Sequence, residues 1–131
     1  MSWDIWITCF HKGEVGKFPR EILDRALEPF STRNEDWSWA LNECSGRVYI
    51  GNELQIDGFS VNRPPGFDHP FWSALIEVLK QTTCVLYWPG KGCVVADKSV
   101  IPHISAEFDE TMGTPTVTTD IRVIKEMIRN A

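Results

Sequence analysis

The sequence has 131 residues, 43% hydrophobic and 24% charged, a balance typical of one globular domain and unlike that of a disordered chain. Its longest apolar runs are far shorter than the roughly 20 residues of a membrane-spanning helix, and its first residues lack the pattern of a secretory signal. The net charge of −5 argues against non-specific binding to nucleic acid or to an anionic membrane. We therefore expect one cytoplasmic domain over residues 1–131, with a basic partner if charge selects one.

The first third of the chain predicts a strand and a helix. Trp3–Phe10 is rich in β-branched and aromatic residues and alternates with apolar groups on both faces, which favours an interior strand. A helix is expected after Pro19, because Ile22 and Ala26 begin an apolar stripe of helical period. Pro29 ends or distorts that helix.

A run of short strands follows. The alternation in Trp37–Asn42, a Cys-Ser-Gly turn and Arg47–Ile50 together predict a hairpin. Leu54–Val61 is expected to continue as a third strand, with Gly58 as a possible bulge. Connections this short allow only antiparallel pairing.

The second half of the chain alternates helices with strands. The broad apolar face of residues 69–82 predicts a helix, with Asp68 as its N-cap. Cys84–Trp88 is apolar on both faces and is expected to be a central strand that turns at Pro89–Gly92 into Cys93–Ala96.

The remaining elements are short and are indicated by caps and turn residues. They are a helical piece from Asp97 to His103, a second one from Ser105 to Gly113, an edge strand at Thr116–Thr118 and a final helix capped by Thr119. The order of elements predicts an α+β fold, with helices packed on a mainly antiparallel sheet.

Catalytic and metal-binding patterns are weak. Cys9 and His11 share one side of the first strand, as a nucleophile and its base would, but the apolar neighbours of Cys9 favour a core residue. The four cysteines are expected to be reduced, and the three histidines are too scattered for a common metal-binding motif. Gly90-Lys91-Gly92 leads into a strand and is expected to be a hairpin turn rather than a phosphate loop. We expect no enzyme activity, catalytic residue, cofactor or metal.

Acidic residues are unevenly distributed. Ser99–Ile121 contains four carboxylates and no Lys or Arg, and Asn34–Ser60 contains five with Arg47 as its one cation. Such segments either form ordinary solvated surface or attract a basic protein. The second alternative places the candidate contact at Glu107, Asp109 and Glu110.

Two stiff, proline-containing loops supply the other candidate residues. Arg63 lies in Asn62–Gly66, and Trp88 precedes Pro89-Gly90. Arg and Trp are common in binding sites, so the two residues are candidates for a protein contact, and a small-molecule-binding or regulatory domain with a pocket near both is the alternative. The structural alternative is that both residues cover the edge of the sheet.

Three stretches carry a resemblance to known proteins: Met1–Ile5, Gly58–Pro64 and Leu86–Gly90 followed by Val94–Asp97. They resemble a family of small uncharacterised bacterial cytosolic proteins, and this resemblance implies no activity. In size and acidity the chain is also similar to immunity proteins, which neutralise bacterial toxins delivered between cells. That similarity implies a cytoplasmic, non-enzymatic inhibitor that covers the active site of a basic toxin domain.

Overall fold

A computed structural model describes residues 3–90 and 92–131. The strands in this part of the chain are β1 (Asp4–His11), β2 (Glu14–Val15), β3 (Phe18–Pro19), β4 (Ser31–Arg33), β5 (Trp39–Leu41), β6 (Arg47–Tyr49), β7 (Gln55–Ile56), β8 (Gly58–Asn62), β9 (Cys84–Tyr87), β10 (Cys93–Val95) and β11 (Thr116–Val117). The helices are α1 (Arg20–Leu27), α2 (Phe71–Gln81), α3 (Ala106–Met112) and α4 (Ile121–Arg129), with 3-10 segments at Glu28–Phe30 and Lys98–His103.

One large sheet organises the molecule. Its strands follow the order β11-β10-β9-β1-β8-β6-β5-β4, with β2 paired to β1, while β3 and β7 form a separate two-stranded ribbon. All pairings are antiparallel except that of β10 with β11. The predicted α+β fold with a mainly antiparallel sheet is confirmed, and β1 lies in the interior as expected.

Alternation along β1 divides the molecule into two layers. Ile5, Ile7 and Cys9 face the main core, which α1, α2 and α4 cover. Trp6, Thr8 and Phe10 lie on the opposite face of the strand, because successive side chains of a strand point to opposite sides. The two faces of β1 therefore pack against different parts of the molecule.

The main core is dominated by α2. Its apolar stripe is broad enough to bury Trp72, Phe71 and Val78 almost completely, as the sequence pattern predicts. Leu23 of α1 and Ile124 of α4 complete this layer on either side.

Among the described helices, none is both long and apolar enough to cross a membrane.

Hydrogen bonds to the Asp24 carboxylate connect α1 to the β4–β5 end of the sheet. The Asp24 carboxylate accepts from Arg20 Nε at 3.1 Å, from Arg33 at 2.7 Å and from Trp39 Nε1 at 3.1 Å. The Arg20 guanidinium also lies over the Trp37 ring, 4.5 Å from its centroid. One half-buried carboxylate thus fixes a helix, an edge strand and an indole, and charge-assisted bonds of this kind are stronger than neutral ones.

The second layer covers only one part of the opposite face. The Lys98–His103 segment and α3 pack over β9, β10 and the end of β1, where Phe10, Val85, Val95 and Val100 are buried. The remainder of this face, on β1, β8 and β6, is partly open at Trp6, Tyr49 and Ser60, and no described helix packs extensively on it.

The caps of two helices differ from those expected. Asp68 does not cap α2; the His69 ring accepts the Phe71 amide at 3.0 Å instead. At α4 the Asp120 carboxylate, not Thr119, accepts the Arg122 amide at 2.9 Å. At α4 the adjacent residues Thr119 and Asp120 have similar capping propensity, and the path of the incoming chain decides which one reaches the free amide.

The predicted strand Leu54–Val61 is divided at Asp57. Its first part, β7, pairs with β3, and its second part, β8, joins the main sheet. Gly58 starts β8 where the chain crosses β1 closely, and a Cβ atom there would lie only 2.2 Å from the Ile7 oxygen.

The predicted turn Pro89–Gly92 includes Lys91, which lies outside the described residues.

Candidate partner-binding face

The uncovered part of the sheet forms a shallow groove. We call this surface the open face and define it by Trp6, Thr8, Tyr49, Ser60 and Tyr87, which line it from four neighbouring strands. The depression that these five residues line has a volume of about 430 Å³. A second depression of about 330 Å³ continues from it along α3 and shares Thr8 and Tyr87.

Aromatic rings run along the floor of this groove. The Trp6 and Tyr87 ring centroids lie 5.8 Å apart, and the Tyr87 and Phe108 centroids lie 5.0 Å apart in an edge-to-face arrangement. The Tyr87 hydroxyl is held 3.0 Å from the Thr8 hydroxyl. Rings constrained in this way present a large apolar area without a large loss of side-chain entropy on binding.

Two side chains at the rim are unusually exposed for their chemistry. Val15 on β2 is 60% exposed and Tyr49 on β6 is 45% exposed. Both line the groove, so their exposed apolar area adjoins the aromatic floor rather than standing alone. A contiguous exposed apolar patch of this kind is typical of a protein-interaction surface.

The charged side chains that line the groove are carboxylates. Asp57 lines one end and Glu107 the other, and no Lys or Arg occurs among the described lining residues. Arg47 is an exposed residue of β6, two positions before Tyr49, and is not among the lining residues. The groove therefore has the charge expected of a surface that receives a basic segment.

The three carboxylates predicted on α3 do not form one patch. Glu107 lines the groove, and Glu110 is about 60° from it around the helix. Asp109 is about 160° from Glu107 by the same geometry, and its charge helps raise the pKa of Cys93, on β10, to about 11, after the larger effect of burial. Only one side of α3 can contribute to a contact in the groove.

The structure places Arg63 far from the acidic helix. Arg63 follows β8, and its amide donates to the Trp3 carbonyl, whereas α3 packs against Phe10 at the other end of β1. These two ends are about 23 Å apart for a strand of this length. Arg63 lines an open, mainly polar depression of about 520 Å³ with Pro64 and others.

Trp88 is a core residue. It is only 3% exposed and packs in the main core. It is not among the residues that line the depression beside Arg63, so the structure does not bring Arg63 and Trp88 together as the walls of a pocket. A depression does lie beside Arg63, but the buried Trp88 does not line it.

Sequence reasoning missed Trp6, Tyr49 and Tyr87 as a group. The signal was present, because Trp6 shares its face of β1 with the polar residues Asp4 and Thr8, a pattern typical of a solvent-facing strand surface. The apolar character of both faces of β1 instead favoured burial on both sides. Which strands lie beside β1 depends on pairing between distant segments, and local patterns do not encode that pairing.

Catalytic groups are sparse in the described part of the chain. No three His, Cys, Asp or Glu side chains there are grouped as metal ligands. His11 stacks on His103 with ring centroids 5.3 Å apart, while Cys9 Sγ lies 3.5 Å from the Thr83 hydroxyl. The suggested pairing of Cys9 with His11 as nucleophile and base is therefore absent from the geometry.

Comparison with protein-family models, with curated proteins and with solved structures finds no match to this chain. The aromatic floor, the exposed rim and the two lining carboxylates are thus the features that bear on function.

Proposed function

We propose that this protein binds a basic protein partner through the open face and the adjoining side of α3. The observation that carries the proposal is that one uncovered groove combines aromatic rings with two carboxylates and no described lining cation. Aromatic anchors supply most of the binding energy in protein interfaces, and complementary charge accelerates association. A basic segment with an apolar anchor fits both properties.

In its most specific form, the proposal is an immunity-type inhibitor that neutralises a bacterial toxin. The net charge of −5 and the small size support this form, because such an inhibitor covers a cationic active site by contact alone. A gene for a large secreted protein with a toxin domain beside the gene for this protein would support the toxin as partner. If co-expression of that toxin domain killed cells equally with and without this protein, the inhibitor form would be rejected.

Binding by the open face can be tested with a displayed library of random peptides. We expect peptides selected on the intact protein to be rich in Lys and Arg and to contain an aromatic or aliphatic anchor. Trp6→Ala should weaken the selected peptides by about 10-fold or more, as loss of a central aromatic anchor does. Val123→Ala is the matched control, because Val123 is an exposed apolar residue of α4, outside the residues that line the groove.

Two substitutions on α3 test the electrostatic part of the proposal, one at the groove and one away from it. Glu107→Gln should slow association and reduce its dependence on salt, whereas Asp109→Asn, on the other side of the same helix, should leave both nearly unchanged. Equal effects of the two substitutions would show that overall charge, not the groove, attracts the peptide. Selected peptides without a basic bias would contradict the proposed partner chemistry.

A further inference from the structure

Two buried cysteines face each other across adjacent strands. Cys9 of β1 lies directly opposite Cys84 of β9 in the antiparallel register. The Cys9 amide donates to the Asp57 carbonyl at 2.8 Å and the Cys84 amide to the Thr82 hydroxyl at 3.3 Å, so neither amide donates across this pair. The pair therefore occupies a non-hydrogen-bonded site of the ladder.

This position brings the two side chains as close as a sheet allows. Opposed residues at such a site have Cα atoms about 4.5 Å apart, inside the range of about 4.4–6.8 Å that a disulfide spans. Both sulfurs lie on the main-core side of the sheet, since Cys9 and Cys84 belong to the same buried cluster. A bond between them would require little movement of either strand.

The hydrogen bonds around Cys9 make the two thiols unequal. The Cys84 thiol opposite Cys9 lowers the pKa of Cys9 to about 6, against the opposing effect of burial. The Cys9 sulfur and burial together raise the pKa of Cys84. The Thr83 hydroxyl lies 3.5 Å from Cys9 Sγ but donates to the Phe10 carbonyl at 2.5 Å, so its proton is already used.

We propose that Cys9 and Cys84 form an oxidation site for small hydroperoxides that closes to a cross-strand disulfide. In the first step the Cys9 thiolate attacks one peroxide oxygen and the O–O bond breaks. Cys9 becomes a sulfenic acid, oxidised by two electrons, and the reduced peroxide leaves as an alcohol or water after taking up a proton. In the second step the Cys84 sulfur attacks the Cys9 sulfur, the S–S bond forms, and water leaves with the sulfenic oxygen and the Cys84 proton.

Burial restricts the oxidant to a small molecule. Cys84 is completely buried and Cys9 is 2% exposed, which keeps bulky thiols and alkylating reagents away from both sulfurs. The route to Cys9 is short, because Asp57 beside it is exposed and Thr83 is half-buried. A small hydroperoxide needs only a local opening of this region.

The two remaining cysteines serve as internal controls. Cys44 is exposed, so Cys44→Ser removes its reaction between molecules and defines the background for the experiment. Cys93 is buried like Cys9, but burial and the Asp109 charge raise its pKa to about 11. Cys93 thus reports how fast a buried thiol of this protein reacts when it is not ionised.

The test is titration of the folded Cys44→Ser protein with hydrogen peroxide, followed by thiol counting and peptide mass spectrometry without reduction. We expect loss of two of the three thiols and a linked pair of peptides that contain Cys9 and Cys84. Oxidation of Cys9 at neutral pH should be at least about 100-fold faster than oxidation of Cys93, given the difference in thiolate fraction. A dithiol reductant added after unfolding in denaturant should restore both thiols.

Single substitutions separate the two steps. In Cys84→Ser, Cys9 should stop at a sulfenic acid that a cyclic diketone traps when the protein is unfolded in its presence, and in Cys9→Ser the Cys84 thiol should survive. The linked peptides from the background protein need no substitution at the pair, so a variant that fails to fold does not affect the result. Survival of both thiols, or oxidation of Cys93 at the same rate as Cys9, would overturn the proposal.

Discussion

At the scale of single residues, the tryptophans differ in how their indole nitrogens are satisfied. Trp72 is completely buried in the main core, and its Nε1 donates to the Pro65 carbonyl at 3.0 Å. Trp88 is also buried, yet among the described residues its Nε1 has no hydrogen-bond partner. A buried donor without a partner keeps its full desolvation cost, whereas a paired donor recovers it.

This difference predicts unequal effects of the same substitution. Trp72→Phe leaves the buried Pro65 carbonyl without its donor and should lower the free energy of unfolding by about 2 kcal/mol. Trp88→Phe removes an unpaired donor together with part of a ring, and should cost less than about 1 kcal/mol. Urea denaturation followed by far-ultraviolet circular dichroism measures both. Equal losses would show that ring volume, rather than the hydrogen bond, decides.

At the scale of elements, the stability of α4 depends strongly on its N-terminal cap. The helix has nine residues and buries only Ile124 completely, so packing contributes less than in α2. Helices this short are marginal alone, and satisfying a free amide at the first turn is a substantial part of their stability. The Asp120 carboxylate satisfies the Arg122 amide.

The cap of α4 gives a prediction with its control one residue away. Asp120→Ala should lower the melting temperature by about 3 °C, because the first turn loses its acceptor. Thr119→Ala should have almost no effect, although the sequence favours Thr119 as the cap. The exposed ion pair of Asp120 with Arg122 contributes little, which Arg122→Ala checks. A larger loss from Thr119→Ala would contradict the observed cap.

The elements themselves were largely predictable. The apolar stripe of residues 69–82 predicted α2 to within two residues, since a strong helical period is local information. The cap of α4 was not, because Thr119 and Asp120 are both good caps and the local backbone path decides between them. The division of 54–61 at Asp57 was not, because it depends on pairing with the distant strands β3 and β1. The parallel pairing of the edge strand β11 with β10 likewise follows from the path of the chain through α3.

At the scale of the whole molecule, the two sides of the sheet have unequal cores. The main core contains most of the buried apolar residues, whereas the second layer rests on a small cluster in which Phe108 connects α3 to Phe10 and Tyr87. Segments with few buried contacts open at lower free energy than the molecule as a whole. The layer beside the open face is therefore the less stable one.

Hydrogen exchange can separate the two layers. Phe108→Ala should accelerate amide exchange in α3 by about 10-fold or more while exchange in α2 stays nearly constant, because the main core is intact. Glu110→Ala, an exposed position of the same helix, is the control and should change neither. Equal acceleration in α2 and α3 would indicate that both layers unfold as one cooperative unit.

The open face was the least predictable feature of the molecule. Its residues come from four strands, and each of those strands shows only its own alternation. Glu107 was correctly placed at a surface by its acidic surroundings, but its position at the groove follows from the packing of Phe108 on Phe10. Trp88 shows the opposite case, since a residue type common in interfaces is here buried in the core.

The central position of β1 has a consequence for synthesis. Apart from the short β2, which pairs only with its last two residues, its neighbours are β8 and β9, about fifty and eighty residues further along the chain. Until those residues have been made, most of β1 has two unpaired edges and apolar groups on both faces, a state prone to pairing with other chains. The sheet can therefore form around β1 only after β8 and β9 have been made. We expect chaperones to bind β1 during translation.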